Sequence, residues 1–176
     1  MAEIDQELRA LVDAAREGDN VAVREVVRRT QPSIWRLCNV LGSAGEEDDL
    51  VQETYLRAFR SLSSFRGEAP INAWLLSIAR HVCADHVRNR VRQRRVLGAL
   101  CQANEDEWTP APGNPTYALL DGIDPDRREA FVLTQVLGLS YDEAAIVLDC
   151  PIGTIRSRVA RARAELADEV RAADAC

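Results

Sequence analysis

The sequence predicts an all-α protein made of two small helical domains, joined by an extended linker, with a helix-turn-helix in the second domain. Apolar residues recur at spacings of three and four along most of the chain, which is the period of an amphipathic helix. Residues 97–115 lose this period and collect Asn, Pro, Gly and acidic residues, as is typical of a linker. A length of 176 residues suffices for two small domains. We therefore expect domains at residues 1–96 and 116–176 and an acidic linker at 97–115.

The composition argues against several classes of protein. No apolar run approaches the roughly 20 residues of a membrane span, and the N terminus lacks the features of an export signal, so we expect a cytoplasmic protein without membrane insertion. The sequence contains no nucleophile–base arrangement and no phosphate-binding glycine loop, which predicts no enzymatic activity and no cofactor. Cys83 would lie about 160° around a helix from His81, so a metal site is rejected. The five cysteines form no CxxC pair and are expected to be reduced: Cys38, Cys83, Cys101, Cys150 and Cys176.

The net charge of −6 conceals a segregated distribution of basic residues. Residues 80–95 contain six Arg and one Asp, and residues 150–166 contain four Arg and one Glu. Between them, residues 97–129 contain seven acidic residues and two Arg. All the basic residues are arginine, which suits bidentate contacts to phosphate and guanine. Two basic helices separated by an acidic connector indicate nucleic-acid binding despite the acidic total.

Three helices are predicted at the start of the first domain. The first lies within residues 5–17, and the second covers residues 21–41, where Pro32 is expected to split or bend it. Ser43 and Glu46 have the spacing of a capping box, so a third helix should begin there. Four successive carboxylates, from Glu46 onwards, favour a helix N terminus because of the helix dipole.

The third predicted helix exposes an acidic face that carries Asp49, Gln52 and Glu53. One interpretation is a face that is simply solvated, which is the usual situation for charged residues on a helix. The other is a docking face for a basic partner protein. The residues alone leave both interpretations open.

A loop at residues 63–68 precedes the longest predicted helix, which covers residues 71–95. Trp74 belongs to the apolar stripe of its first half and is expected in the core. The second half could fray into solvent, or it could lie along a nucleic-acid backbone with its arginines on phosphates. Its stripe becomes polar at spacings of four, three and four: His81, Asp85, Arg88 and Arg92.

The second domain is predicted to end in a helix-turn-helix over residues 140–163. Ser140 and Glu143 form a capping box for its first helix, and Pro151 suits the first turn of its second helix. Ser157 and Arg161 point away from the apolar stripe of that second helix, so they are available to a major groove. A helical hairpin with a solvated basic face is the alternative. The stripe consists of Ile152, Ile155, Val159, Ala162 and Leu166.

Three motifs resemble the extracytoplasmic-function (ECF) sigma factors, the smallest members of the bacterial sigma-70 family. They are the stretch DLVQETYLRAF at residues 49–59, Trp74-Leu75 through Asp85, and GLSY at residues 138–141 through PIGTIRSR at residues 151–158. The motifs keep the order of the family and cover nearly the whole chain. Within the family, IARHV at residues 78–82 and the Leu133–Gln135 stretch are most similar to the sigma C type of actinobacteria.

The resemblance implies a sigma-2 domain and a sigma-4 domain that bind RNA polymerase core and read the −10 and −35 elements of promoter DNA. It implies that Asp49, Gln52 and Glu53 bind the clamp helices of the β′ subunit, and that the sigma-4 domain contacts the β flap. The acidic linker, with Trp108, would thread toward the polymerase channels. An anti-sigma factor is a further possible partner.

The resemblance also distributes the DNA contacts. Residues of the loop and the start of the following helix would capture a flipped base of the −10 element: Phe65, Arg66, Gly67, Glu68 and Ala69. His81, Asp85, Arg88 and Arg92 would lie along the DNA nearby. Residues of the last helix would contact the −35 element, with Arg158 closer to the packed side and on phosphate: Thr154, Arg156, Ser157, Arg158 and Arg161.

A stand-alone helix-turn-helix regulator is the second hypothesis that the sequence supports. The N-terminal half discriminates against it, because that half carries an acidic docking helix and no phosphoacceptor or ligand-pocket signature. The acidic net charge also predicts that the free protein binds DNA weakly and in a salt-sensitive manner.

Overall fold

The computed structural model describes residues 2–101, 119–120 and 122–174, and within them it contains helices and no strand. The prediction of an all-α fold is therefore confirmed. The α-helices in this part of the chain are α1 (Ala2–Arg16), α2 (Asn20–Leu41), α3 (Glu47–Ser61), α4 (Ile71–Cys101), α5 (Pro125–Phe131), α6 (Tyr141–Leu148) and α7 (Ile152–Asp174). A 3₁₀ turn follows α3 at Leu62–Ser64, and a π-helical turn follows α5 at Val132–Val136.

Helix α2 is continuous, so the expectation that Pro32 splits it is wrong. Asp19 caps its start, where the side-chain carboxylate accepts from the backbone amide of Val21 at 2.7 Å. Pro32 is exposed, whereas Ile34 and Leu37 beyond it are fully buried. Burial on both sides of the proline holds the helix together, although one backbone hydrogen bond is lost.

Helix α3 begins at Glu47, three residues later than a cap at Ser43 would place it, and without the expected Ser43–Glu46 capping box. Glu46 is the N-cap residue and its side chain makes no capping hydrogen bond. Gly45 has φ +85°, and its amide donates to Glu47 Oε1 at 3.1 Å. The extra turn at Gly45 moves Glu46 out of the position that a capping box requires.

Helix α4 continues to Cys101, six residues beyond the predicted end at Arg95. The first five residues of the predicted linker are therefore helical, since Leu97, Ala99 and Leu100 are good helix formers. The rest of that linker, with Trp108, and the first residues of the predicted second domain, 116–118, lie outside the described residues. None of the described helices is long and apolar enough to cross a membrane.

Helices α1–α4 pack around one apolar core, and α5–α7 pack around another that touches it. Ile34 and Leu76 are fully buried in the first, and Val132 and Ile155 in the second. The two halves meet where α4 packs against α6. An ion pair between Arg80 of α4 and Glu129 of α5, at 2.7 Å, lies at this contact. The packing therefore sets α6, rather than α7, against the first bundle.

Two thiols, Cys38 of α2 and Cys83 of α4, lie buried together in the first core. A hydrogen bond between the two side chains and their burial raise the pKa of the Cys83 thiol well above its usual range. The Cys83 thiol is therefore protonated, and both cysteines are reduced, as the sequence predicted, and serve as packing residues. Nearby, Thr30 and Tyr55 hydrogen-bond at 2.7 Å, and burial raises the pKa of Tyr55 to about 12.

Candidate nucleic-acid and protein interfaces

The acidic face of α3 has two free members and one that is already bound. Asp49 and Gln52 are exposed. Glu53 is half-buried, and its carboxylate accepts from Arg57 Nε at 2.7 Å. Since three- and four-residue spacings put these side chains on one side of the helix, they form a single polar surface. A protein partner could use it without disturbing the core.

Arg57 connects the α3 face to α4, and the sequence analysis did not single it out. Its Nη1 donates to Asp85 Oδ2 at 2.8 Å, and Arg88 Nη2 donates to the other oxygen of Asp85 at 2.5 Å. Hydrogen bonds from Arg57 and Arg88 lower the pKa of the Asp85 carboxyl. The four-residue spacing of Glu53 and Arg57 is readable from the sequence, but the link to Asp85 is tertiary.

The polar half of α4 carries side chains that are exposed but largely paired. His81 is exposed, and its Nδ1 lies 2.6 Å from the backbone oxygen of Ser77. Arg88 binds Asp85, whereas Arg92 is exposed. Arg90, on another side of the helix, lies 3.6 Å from Glu46. The four predicted residues of α4 thus share one accessible surface that is close to neutral.

The loop between α3 and α4 divides its predicted residues between core and solvent. Phe65 is buried, and its ring lies 5.0 Å from the ring of Trp74. Arg66 and Glu68 are exposed on either side of Gly67, which has φ +71°. Ala69 is half-buried. The left-handed backbone conformation at residue 67 favours glycine. This conformation turns the side chains of Arg66 and Glu68 toward solvent.

The predicted helix-turn-helix is present in α6 and α7. Both hydrogen bonds of the Ser140–Glu143 capping box form, and Asp149 ends α6 in a left-handed conformation with φ +48°. The turn at Pro151 then leads into α7, where Ile155 and Val159 are buried. Packing of this stripe fixes which side of α7 faces solvent.

The solvent face of α7 carries the predicted DNA contacts. Arg156, Ser157 and Arg161 are exposed, and Thr154 is half-buried. Arg158 is half-buried and binds Asp126 at the start of α5. Its place on the packed side agrees with the sequence analysis. Arg156 and Arg161 make no ion pair with the described part of the chain, so their guanidinium groups face solvent without a competing carboxylate.

Together these surfaces define a class of two-part helical proteins that read DNA with a helix-turn-helix and carry a second interaction surface on a separate bundle. The sigma-70 region 2 model matches residues 26–93, and the sigma-70 region 4 model matches residues 115–166. Both sigma-70 regions are thus present in one chain, and named relatives at 44% and 31% identity over more than nine tenths of its length show that the chain belongs to the ECF sigma factors of the sigma-70 family.

Named relatives extend over almost the full chain. The ECF RNA polymerase sigma factor SigC of Mycobacterium tuberculosis is 44% identical over 170 residues, which covers 93% of this chain and 92% of SigC. The ECF RNA polymerase sigma-E factor of Escherichia coli K12 is 31% identical over 178 residues, covering 91% of this chain and 92% of that protein. The likeness to a sigma C type that the motifs indicated is in line with the first of these.

Solved structures agree with the fold. CnrH in complex with the cytosolic domain of CnrY is 28% identical, with a TM-score of 0.73, and covers 93% of this chain and 97% of CnrH. The sigma factor RpoE in complex with the anti-sigma factor NepR, from Bartonella quintana, is 27% identical, with a TM-score of 0.66 over 85% of this chain and 96% of RpoE. The matches span both helical halves of the chain.

Proposed function

We propose that this chain directs promoter-specific transcription initiation by binding RNA polymerase core through α3 and reading promoter DNA with two separate surfaces. In this proposal, Asp49, Gln52 and Glu53 bind the β′ clamp helices and the second domain contacts the β flap. The observation that carries it is the presence, in one chain, of matches to sigma-70 regions 2 and 4 together with an exposed arginine face on α7. A stand-alone helix-turn-helix regulator has no need of sigma-70 region 2.

The −35 element is read by α7 in this proposal. Its exposed face presents Arg156 and Ser157 on one turn and Arg161 on the next, and a major groove admits one such helix. Arg158, which is bound to Asp126, contacts phosphate at the rim, and Thr154 lies near the entry of the helix. Arginine binds guanine bidentately, so Arg161 and Arg156 supply the base specificity.

The −10 element is read by the loop at residues 65–69 and the polar face of α4. Arg66 and Glu68 project from the loop, where a base that leaves the stack meets charged and polar groups. The ring of Phe65 supports the loop from within, against Trp74. The residues His81, Asp85, Arg88 and Arg92 run along the adjacent duplex. Binding of unstacked bases offsets the few kcal/mol that each unstacking step costs, so melting requires no hydrolysis.

Polymerase is needed because neither surface is strong alone. The chain has a net charge of −6, and the acidic residues of its connector repel a duplex. Tight binding therefore depends on the contacts that core polymerase adds and on the separation that it imposes between the two domains. An anti-sigma factor is a second partner in this proposal, since CnrH and RpoE, two solved structures similar to this chain, are held in complexes of that kind, CnrH with CnrY and RpoE with NepR.

The proposal is tested by adding the purified protein to sigma-free polymerase core and measuring promoter-dependent transcripts. Asp49→Arg should weaken core binding at least about tenfold, because it places a like charge opposite the basic partner that the acidic face selects. Asp168→Arg makes the same change on an exposed residue of α7 and should leave core binding unchanged. Equal core affinity of both variants would contradict the assignment to α3, and absence of transcripts with the wild type would contradict the proposed function.

A further inference from the structure

Two arginines of α1 bind the loop that is proposed to read the −10 element. Arg16 Nε donates to the backbone oxygen of Leu62 at 3.0 Å, and Arg16 Nη2 donates to the backbone oxygen of Phe65. Arg9 Nη2 donates to the backbone oxygen of Gly67. Three carbonyls of one short segment are thus held from the same helix. The region 2 match begins at residue 26, so it assigns no role to α1.

Arg16 is fixed from both sides. Asp13 Oδ1 accepts from its third nitrogen, Nη1, at 3.0 Å. Its guanidinium carbon lies 5.7 Å above the centroid of the Phe65 ring, which gives a cation–π contact. A planar guanidinium with several fixed donors can bridge two carbonyls at once, which a lysine ammonium does less well. The contacts therefore set the geometry of the turn between Leu62 and Phe65.

The turn has little other support on this side. An open cavity of about 570 Å³ lies between α1, α2 and the end of α3, and it is lined by Arg16, Val23, Phe59 and Leu62 among others. Within the turn, the amide of Phe65 donates to the oxygen of Leu62 at 3.2 Å. Arg16 is the group that ties this turn across the cavity edge to α1. Without it, the backbone that presents Arg66 and Glu68 would sample more conformations.

We propose that Arg16 is a positioning residue for −10 recognition, which holds the loop at residues 65–69 in its base-capturing conformation before DNA arrives. This inference rests on the proposed function of that loop. Arg16 does not contact the base. It removes an ordering cost that is met only when the loop captures a base. A substituted strand whose base is not captured does not meet this cost, so loss of Arg16 weakens the best strand most and lowers the discrimination between −10 sequences. Arg9 also helps to hold this loop, through its single contact with the backbone oxygen of Gly67.

The test uses holoenzyme and a single-stranded DNA that carries the −10 element of a promoter opened by the wild type, together with its single-base variants. Arg16→Ala should lower the ratio of affinities between the best and the substituted strands about tenfold. Core affinity and −35 duplex binding should stay unchanged. Arg16→Lys retains the charge but cannot bridge both carbonyls, so it should recover only part of the ratio. Arg24→Ala, at an exposed arginine of α2, is the matched control and should keep the full ratio.

Four variants separate this inference from the proposed function. If Arg66→Ala and Glu68→Ala abolish discrimination whereas Arg16→Ala keeps it, the positioning role is overturned and the loop assignment stands. If none of these three variants changes discrimination, the assignment of the loop is overturned. Full recovery by Arg16→Lys would show that charge alone suffices and would overturn the bridging geometry. A thermal midpoint near that of the wild type is expected for each Arg16 variant, because the side chain lies at the surface.

Discussion

The arginines of α4 and those of α7 have the same chemistry but opposite surroundings. On α4, Arg80 pairs with Glu129 at 2.7 Å, Arg88 with Asp85 at 2.5 Å and Arg90 with Glu46 at 3.6 Å. On α7, Arg156 and Arg161 are exposed and make no ion pair with the described residues. Both helices read as basic in the sequence, yet among the described side chains α4 keeps three arginines in ion pairs and leaves Arg92 exposed outside them, whereas α7 leaves both Arg156 and Arg161 unpaired.

Because of this difference, we expect the α4 and α7 surfaces to contribute differently to DNA binding. An unpaired arginine that reaches a phosphate releases a condensed counterion, and this release supplies most non-specific DNA affinity. An arginine already held by a carboxylate gains less, because the protein has neutralised it. Duplex attraction should therefore come from α7, whereas the α4 surface is suited to recognising shape and unstacked bases after polymerase has brought it close. We expect effects of decreasing size when Arg161, Arg80 and Asp85 are replaced.

Loss of Arg161 should have the largest effect. Arg161→Ala is expected to cost about 1–3 kcal/mol of promoter binding and to change which −35 sequences the holoenzyme uses, since the free guanidinium reads a base. Electrophoretic titration against a set of −35 variants measures both. Arg171→Ala, near the end of the same helix and bound to Asp168, is the control and should be silent. An equal loss on every −35 sequence would make Arg161 a phosphate contact instead.

Loss of Arg80 should have an intermediate effect, on stability. Glu129 retains only 18% of its side-chain exposure, so Arg80→Ala leaves a largely buried carboxylate without this partner, and we expect a loss of about 1–2 kcal/mol in the free energy of unfolding. Urea titration measures it. Arg90→Ala breaks a longer pair whose carboxylate, on Glu46, is 39% exposed, and should cost less than about 1 kcal/mol. Equal losses would mean that the contact between the two halves is too weak to matter.

Replacement of Asp85 should have the smallest effect on stability and the clearest dependence on pH. The pKa of Asp85 is lowered in the folded protein, so its ion pairs stabilise the fold at neutral pH and are lost as the pH falls through the lowered value. With a side chain that is 39% exposed, Asp85→Asn should cost at most about 1 kcal/mol at pH 7 and nothing at low pH. Denaturation between pH 7 and pH 3 checks the convergence of the two curves.

Asp85→Asn also tests the comparison between the arginines of α4 and those of α7. Removing the carboxylate frees Arg88, so the α4 surface of Asp85→Asn should resemble α7 more closely. Non-specific duplex affinity should rise and its dependence on salt should steepen by about one counterion. An unchanged salt slope would mean that pairing does not distinguish the two surfaces.

Local patterns predicted much of this structure. The Ser140–Glu143 capping box and the apolar stripe of α7 depend on residues within a turn or two of each other, and both are present. Local rules failed where packing decides. Pro32 lies within a continuous helix because residues on both sides of it are buried, and Ser43 does not cap because Gly45 adds a turn.

The contacts that organise the candidate sites could not be read from the sequence. Arg57 meets Asp85 across 28 residues, and Arg16 meets Phe65 across 49. Each pairing depends on how one helix is placed on another, and a helical period fixes the face of a residue without fixing its tertiary neighbour. For the same reason, the separation of free from paired arginines emerged only with the fold.

The buried pair of cysteines makes the opening rate of the first bundle measurable by alkylation. Maleimides and iodoacetamide attack thiolates. Both Cys38 and Cys83 are screened from solvent by the helices around them, and the raised pKa of Cys83 keeps its thiol protonated. Alkylation of these two sulfurs in the native protein must wait for the helices to part. The rate at which mass is added at Cys38 and Cys83 therefore reports how often the first bundle opens, with no engineered probe.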